Sequence, residues 1–556
     1  MAVISAMMMT GLLMVTAVVV DLGYVRQSTV VDQNAADLSA LAASTQLAAR
    51  RPQAACIDAA NTLKTNMQGV GSLNTTTLCN PMPVVACNPI APTSPASSSQ
   101  TVNGFTVTVR YPVTDADIAD PNYGAGLADG SSCERMRLSI ASTEPAFFGA
   151  IANKSSYKIS RSATVRATYV PGAQIPALWL LDPWGCTSLA VTGGAQLTAG
   201  TATSPGVIVA DSDGSSCTGS QSTISATGAG TNLTAAPTSG PSRGTIKLYS
   251  MGLNATTCTM PSCDPADVAA ARITPQPLHL DARASRLPVD WAYNCKSGYP
   301  AYHSLPIMDC PYPKPAYVDL LKTAIGTSGS PPGFQKWSSS YSCNPSGTTT
   351  VNGNWWVDCN GGLKIGNGTH ITFASGNVVF DKPFDMTGGS LSFNTSNPST
   401  ALASSCVAPS VTTPCLSSSS SKAAIVYVRD GSIKITGGAL TARGVTGFLP
   451  NGYFAATGGA PPVWLGSTEG PLAGLAMWSD FASSQFQING GAGAQLEGTF
   501  FTPEAQPFSL AGGSNWGQQD AQFITYQLAV SGGGQISLNP RANAVTLPQK
   551  YARLIR

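Results

Sequence analysis

The chain contains 556 residues, of which 43% are apolar and only 10% are charged. Lys and Arg (30) nearly balance Asp and Glu (28), and the net charge of +2 argues against charge-driven disorder and against nucleic acid held by a basic surface. Three histidines leave little material for zinc sites or histidine-based catalysis, so no metal or cofactor is predicted. At about 100–200 residues per domain, the length predicts roughly two to four domains.

The N-terminus predicts one long helix. Residues 2–20 carry no charge, and a helix of that length spans ~28 Å, about one hydrocarbon core. Helix-favouring residues with an apolar stripe continue from Leu22 to Ala49, and Pro52 ends the pattern. We therefore expect a helix over residues 1–50 whose first half is a single-pass transmembrane segment. A cleaved signal peptide is the alternative, but the run is long and lacks a basic n-region.

Fourteen cysteines, all after residue 55, contain no C-x-x-C pair. This pattern argues against a metal site and favours disulfide bonds, with reduced structural cysteines as the alternative. Disulfides need an oxidising compartment, so the C-terminal bulk is predicted to be extracytoplasmic, beyond a cell-membrane anchor. Five pairs of neighbours in the chain would close short loops: Cys79/Cys87, Cys186/Cys217, Cys295/Cys310, Cys343/Cys359 and Cys406/Cys415. Cys258 and Cys263 are further disulfide candidates.

The segment from Val18 to Ser44 resembles the N-terminal signature of the TadE/TadG-like proteins of tight-adherence (Flp) pilus-assembly systems. In that family an apolar segment leads to V-D-x-G and then to a polar helix rich in Q-x-A-A-D-x-A-A-L-A. Family members begin with a short basic stretch, whereas this chain opens inside the apolar run, so a start further upstream is expected. The residues that match the family motif are Asp21, Gly23, Gln33, Ala35, Ala36, Asp37, Ala40 and Leu41.

The resemblance implies a membrane-anchored, exported component of a pilus-assembly system, with a structural or assembly role and no catalysis. The first half of the N-terminal helix would contact membrane lipid. The helix would also pack against other pilus-assembly or pilin-like proteins.

Residues 51–170 predict the small α+β domain of such a protein. Apolar and polar side chains alternate from Phe105 to Tyr111, as in a half-buried strand. The same alternation recurs around Leu138 and from residue 157 to 169. Between these two strands, residues 144–149 are predicted to form a short helix that starts with a proline and places two phenylalanines in the core.

From residue 171 to 556 a motif recurs in which two aliphatic or aromatic residues flank one residue and precede a glycine pair. Most copies are roughly 20–25 residues apart, or about twice that, which fits the coils of a right-handed parallel β-helix. A glycine-rich β-sandwich is the alternative. We expect Lys434, Gln487 and Ser509 to point outward. The predicted inward pairs are Phe384/Met386, Ile433/Ile435, Phe486/Ile488, Phe508/Leu510 and Leu528/Val530.

Two insertions are predicted in this region, at 236–350 (rich in Cys and Pro) and at 395–422 (rich in Ser, Thr and Pro). Several aromatic residues in and next to the first insertion either bind a surface glycan or partner, or close the end of the β-helix. These residues are Trp291, Tyr293, Tyr299, Tyr302, Trp337, Trp355 and Trp356.

Catalysis is not predicted, although β-helices often carry polysaccharide-cleaving sites. Glycoside hydrolysis needs two acids ~5–9.5 Å apart, and no two acids occupy the same position of adjacent coils in the predicted register. A cell-surface protein that binds or cleaves carbohydrate is the alternative function. A purely structural surface protein is a third.

Overall fold

The structure is a computed structural model and describes residues 2–48, 51–83, 95–118, 132–148, 155–171, 175–182, 186–201, 203–210, 222–236, 245–248, 321–322, 325–393, 424–458, 460–468, 474–479, 481–490, 493–542, 544 and 548–555. The protein is mainly β, with 45% strand and a large parallel sheet. Two compact units divide the chain between Val170 and Pro171, and the C-terminal segment Pro548–Arg556 belongs to the first unit. The predicted division had placed that segment in the β-helix.

Helices and antiparallel strands build the first unit. Three of its strands pair antiparallel in the order β1, β2, β3, and β3 pairs with β4 in the same way. Its elements are α1 (Ala2–Ala48), α2 (Pro52–Asn66), α3 (Thr75–Cys79), β1 (Ala96–Val102), β2 (Phe105–Tyr111), α4 (Asp115–Ile118), β3 (Arg135–Pro145) and β4 (Ser156–Pro171).

The alternation predicted for Phe105 to Tyr111 is present in β2, where Val107 and Val109 are buried. They join one apolar core with buried residues of α1, α2 and β3. The helix predicted at residues 144–149 is wrong within the described residues, because β3 continues to Pro145. The core position predicted for the two phenylalanines is also wrong. Phe147 and Phe148 follow the strand as a bend and are 61% and 45% exposed.

The long N-terminal helix is present as α1, over Ala2–Ala48. Crossing a bilayer takes about 20 consecutive apolar helical residues, and none of the helices in the described part of the chain meets this requirement of length and apolar character. The predicted single-pass membrane segment, and the cellular location that depended on it, are therefore wrong.

Parallel strands make up the second unit. They are β5 (Leu178–Leu180), β6 (Leu189–Thr192), β7 (Gln196–Ala199), β8 (Val207–Ala210), β9 (Ile224–Thr227), β10 (Asn232–Ala235), β11 (Thr245–Leu248), β12 (Gln335–Lys336), β13 (Gly347–Val351), β14 (Trp355–Val357), β15 (Leu363–Ile365), β16 (Thr369–Phe373), β17 (Val378–Phe380), β18 (Phe384–Phe393), β19 (Ala424–Val428), β20 (Ile433–Arg443), β21 (Val445–Phe448), β22 (Phe454–Ala456), β23 (Val463–Leu465), β24 (Leu475–Trp478), β25 (Gln487–Asn489), β26 (Gln495–Thr502), β27 (Phe508–Ala511), β28 (Gly517–Thr525), β29 (Leu528–Ser531) and β30 (Gln535–Leu538). The last strand of the chain, β31 (Pro548–Ile555), lies beside β4 in the sheet of the first unit.

Three parallel ladders of strands can be followed through the second unit. The first runs β12, β14, β17, β19, β21, β24, β26, β28, β5, β8, β11. The second runs β15, β18, β20, β22, β25, β27, β29, β6, β9. The third runs β13, β16, β18, β20, β23, β26, and continues through β28, β30, β7, β10. In every ladder, strands from the beginning of the unit pair with strands from its end.

The predicted inward rows are buried in the second ladder. All ten side chains of the predicted pairs are at most 2% exposed and belong to one core, while Lys434 is exposed and Ser509 is half-buried.

Steric hindrance explains why glycines follow these inward pairs. Gly389 has a φ of 66°, and a Cβ on it would lie 2.0 Å from the carbonyl oxygen of Thr369, which only glycine avoids.

Several strands of the first ladder, such as β17, β19 and β24, are buried on both faces. One face joins the main core, and the other forms a second apolar cluster with Trp179, Trp478 and Phe501. Leu321 and Phe334 belong to this second cluster, and the Lys322 ammonium lies 4.6 Å from the centre of the Trp478 ring. Such strands show no alternation in sequence, because both faces need apolar side chains.

The predicted boundaries of the first insertion include residues that belong to the parallel ladders. Strands β11, β12 and β13 lie within residues 236–350 and belong to the parallel ladders, because a short threonine-rich strand can pair in parallel within a segment rich in Pro and Cys. The insertion at 395–422 lies outside the described residues.

The aromatic residues of this region that can be located close the end of the core. Trp337 is fully buried, Trp355 is 6% exposed, and their ring centres are 5.9 Å apart. Tyr341 packs against both, and Trp356 is half-buried beneath the Lys336 ammonium. Trp291, Tyr293, Tyr299 and Tyr302 lie outside the described residues.

Candidate functional site

The first of the two acidic residues of the predicted motif anchors a turn. Asp21 is 2% exposed, and its carboxylate accepts hydrogen bonds from the backbone N–H groups of Phe147 (3.1 Å) and Phe148 (3.1 Å). One turn further along α1, Tyr24 donates a hydrogen bond to Glu144 (3.1 Å) and packs edge-on against Phe147 at 5.2 Å. The hydrogen bond to Glu144 raises the pKa of Tyr24, so its hydroxyl remains a donor at neutral pH.

The polar residues in the middle of α1 also bond to the sheet. Gln33 donates to the Asp37 carboxylate (2.8 Å) and to the carbonyl oxygen of Ser162 in β4 (3.3 Å). Asp32, outside the motif, accepts a hydrogen bond from the Ser142 hydroxyl (3.2 Å) in β3. Burial raises the pKa of Asp32.

The small residues of the motif let α1 approach its neighbours closely. Ala35, Ala36 and Ala40 are at most 3% exposed and share a core with α2 and with the sheet. Leu41 is 40% exposed, and a Cβ on Gly23 would meet no atom within 4 Å. Most of the motif is therefore a docking surface that holds α1 on the first unit, and no ligand pocket follows from it.

The remaining surface of α1 is strongly apolar and exposed. Its fully uncharged N-terminal part exposes Met8 (73%), Leu12 (69%) and Val15 (64%), and the helix further along exposes Leu22 (55%) and Val31 (50%). Exposed apolar surface of this extent marks an interaction site more often than chance. It is the strongest candidate for a contact with another protein.

Paired carboxylates, which the predicted register excluded, are present in the second unit. Glu497 in β26 lies directly opposite Asp520 in β28, where neighbouring strands are about 4.8 Å apart. Arg541 bridges the pair, with its Nη1 2.5 Å from a Glu497 oxygen and its Nε 3.1 Å from an Asp520 oxygen. Burial raises the pKa of Glu497, Arg541 opposes that rise and Asp520 adds to it.

This pair lacks the arrangement that glycoside hydrolysis needs. A general acid and a nucleophile must both face the sugar, but here one guanidinium occupies both carboxylates. Gln518 also donates to Asp520 (3.2 Å). The geometry therefore favours an ion-pair network over a reaction centre.

A second polar cluster lies where strands of the first ladder end. Asp182 is 2% exposed and accepts a hydrogen bond from Gln527 (2.6 Å), a residue 345 positions away in the chain. Burial, together with the nearby carboxylates of Asp182 and Glu504, raises the pKa of Tyr526 above its usual range. The phenol therefore stays protonated, which suits a fixed donor in a structural network.

One face of the third ladder presents outward side chains with hydroxyl or amide groups, which we call the polar ladder. Within each strand these side chains alternate with buried ones. The first run pairs in register as Thr350, Thr372, Ser392, Thr441, Val463 and Gln495.

A second run of the polar ladder is Gln518, Ser537, Thr198 and Thr234. Gln495 and Gln518 each lie two residues before the paired acids, which places the two runs in line. None of the ten residues is buried, and none carries a charge.

The disulfide candidates are only partly located. Cys343 bonds to Cys359, as predicted, beside the aromatic residues that close the core. Cys79 bonds to Cys56, so the pairing of Cys79 with Cys87 is wrong. The packing of α3 against α2 brings Cys79 and Cys56 together.

The other cysteines are either disulfide-bonded or outside the described residues. Cys133 and Cys186 are also disulfide-bonded. The remaining candidates, Cys87, Cys217, Cys258, Cys263, Cys295, Cys310, Cys406 and Cys415, lie outside the described residues.

Within the described residues no three His, Cys, Asp or Glu side chains cluster in a way that could hold a metal ion. No protein-family model, no curated protein and no solved structure matches this chain.

Proposed function

We propose that the protein is a non-catalytic structural component of a tight-adherence pilus-assembly apparatus, which contacts other assembly or pilin-like proteins through α1. The observation that carries the proposal is the exposed aliphatic surface of α1, on a helix whose motif residues are used to hold it to the first unit. Asp21 and Gln33 anchor the helix by polar contacts. The side chains left exposed, such as Met8 and Leu12, suit packing against a partner helix, where apolar ridges fit into grooves.

The rest of the chain supplies a rigid body. We infer that the second unit is a right-handed parallel β-helix, since three in-register parallel ladders recur along it and parallel connections are right-handed in about 98% of cases. The disulfides Cys56–Cys79 and Cys343–Cys359 are typical of proteins that fold in an oxidising compartment. Both features support a durable structural element.

Site-specific photo-crosslinking in the native cell tests the proposal. The reactive amino acid would replace Leu12, which is 69% exposed. A matched control places it at Ser97, an exposed position of the edge strand β1. We expect a pilin or pilus-assembly protein, identified by mass spectrometry, to be captured from position 12 and not from position 97.

The proposal fails if position 12 captures only proteins unrelated to pili, or if both positions capture the same set. A Leu12→Ser variant gives a second measurement. We expect it to fold normally, because Leu12 contacts solvent, and to impair pilus-dependent attachment of the cells.

A further inference from the structure

The polar ladder differs from the other exposed strand face of the second unit. In the second ladder, three of the nine outward positions in register carry charges: Lys364, Asp385 and Lys434. The six that follow carry none, and they are Ala455, Gln487, Ser509, Ala529, Ala190 and Ser225. The polar ladder has ten positions without any ionisable side chain, and nine of them carry a hydroxyl or an amide. Solvent exposure alone does not explain why the polar ladder lacks charged side chains, because the second ladder of the same unit carries them.

The geometry of the polar ladder is that of a regular linear array. Successive strands lie about 4.8 Å apart, and each except β23, which contributes Val463, presents one outward group that can both donate and accept hydrogen bonds. In-register pairing from Thr350 through Gln495, and from Gln518 through Thr234, fixes these groups in two aligned rows. A ligand that matches such an array must itself be extended, repetitive and rich in hydroxyl groups.

We propose that the polar ladder binds a neutral polysaccharide chain that lies across the strands. The absence of charge along the ladder matches an uncharged polymer, and the repeated hydroxyl and amide groups match sugar hydroxyls. Each contact is weak, and many contacts on one rigid surface add through effective concentration. The binding therefore strengthens with chain length.

Charged side chains flank the polar ladder two residues further along three of its strands. They are Arg443 in β20, Glu497 in β26 and Asp520 in β28. The side chains of Asp520 and of Arg541, which bridges Asp520 and Glu497, are 32% and 49% exposed. A carboxylate and a guanidinium can accept from and donate to adjacent sugar hydroxyls, and so orient a chain where the two runs of the ladder meet.

A second copy of the protein fits the same face less well. Stable protein interfaces have an apolar centre with aromatic residues, whereas the polar ladder contains Val463 as its single aliphatic residue. Two such faces would also bury many hydroxyl groups against each other, and any that lacked a partner would carry a desolvation cost. Neutral polysaccharide is the better occupant.

The test uses the purified full-length protein and retention on insoluble or immobilised polysaccharides. The neutral probes are cellulose, chitin, mannan, galactan and dextran, and alginate is the anionic control. The variant Ser392→Asp places a negative charge in the middle of the polar ladder. Its matched control is Ser509→Asp, an identical change at a half-buried outward position of the second ladder.

We expect retention on at least one neutral probe, with affinity that rises with oligosaccharide length, and about a tenfold loss for Ser392→Asp. Ser509→Asp should bind like the unchanged protein, and the thermal midpoints of both variants should agree with it. If Ser392→Asp does not fold, Thr441→Lys probes the neighbouring position of the same ladder.

Retention on none of the neutral probes overturns the proposal. Equal losses for the two serine variants, or equal binding to alginate, overturn the assignment to this uncharged face. A concentration-dependent dimer that Ser392→Asp abolishes would assign the face to a second copy. This inference does not rest on the pilus-assembly proposal, since the crosslinking at Leu12 and the polysaccharide retention can fail separately.

Discussion

Replacing Leu510 by alanine should lower the free energy of unfolding of the second unit by about 3–5 kcal/mol. Leu510 is completely buried. Its in-register neighbours are Ile488 on one side and Val530 on the other, and both are also buried.

The magnitude follows from the volume that is lost and from the rigidity of the site. Removing three carbon atoms costs roughly 2.5 kcal/mol, at about 0.8 kcal/mol for each buried methylene-sized group. A cavity remains unless neighbouring atoms move into it. Backbone hydrogen bonds to the strands on both sides of β27 hold Ile488 and Val530 in place, so the cavity cannot collapse and the cost lies in the upper part of the range.

The assay is denaturant unfolding of the full-length protein, followed by tryptophan fluorescence, which reports on the buried Trp516. The control is Ser509→Ala, which changes the adjacent outward side chain and should stay within about 0.5 kcal/mol of the unchanged protein. If Ser509→Ala destabilises as much as Leu510→Ala, or more, the inward assignment of Phe508 and Leu510 is wrong, and so is the register built on it.

Three further outcomes are expected. Asn377→Ala should cost about 1–3 kcal/mol, measured by thermal unfolding, because it leaves the backbone N–H of Ile425 without its acceptor; an unchanged midpoint would show that this hydrogen bond does not stabilise the fold. Burial would raise the pKa of Asp358, but hydrogen bonds from a serine and a lysine outweigh it and lower that pKa. Its stabilisation is therefore present above the unfolded value of about 3.9 and is lost as the pH falls through the folded value. The stability difference between the unchanged protein and Asp358→Asn should vanish at low pH, and a difference that grows there would refute this sign. Replacing both Cys56 and Cys79 by serine should cost about 3 kcal/mol, read as a lower thermal midpoint; an equal midpoint would show that the bond does not constrain the chain.

The sequence could predict what depends on local periodicity. Residues such as Ile433 and Ile435 flank one polar residue and precede a glycine pair, and that short pattern sets which side of a strand faces the core. The glycines mark positions where a Cβ would collide with an adjacent strand, as at Gly389. The alternation of apolar and polar side chains in β2 could be predicted for the same reason. The role of Asp21 in docking α1 became visible only through the backbone groups that it bonds.

Features that depend on distant parts of the chain were not readable. Glu497 and Asp520 face each other, but Asp520 lies one residue further from its glycine pair than Glu497 does, so alignment by the glycines hides the match. The bond from Cys79 to Cys56 depends on how α3 packs against α2. Phe147 is exposed in a bend where its backbone N–H donates to Asp21. Its apolar side chain gives no indication of this backbone bond in the sequence.

The order of strands within the parallel ladders explains how the first unit can be built from segments that are far apart in the chain. The chain leaves that unit after β4, and β31 near its C-terminal end lies beside β4 in the sheet of the first unit. In the second unit, the first strands β5, β6 and β7 pair with the last strands β28, β29 and β30. The chain therefore leaves the second unit next to the place where it entered. When the two ends of an inserted domain are adjacent, the insertion interrupts its host with little strain. Specific strand pairing holds these ends together and offsets the entropy cost of closing such a long loop. Parallel ladders that followed the order of the chain from first strand to last would instead separate these two ends by the whole length of the ladders.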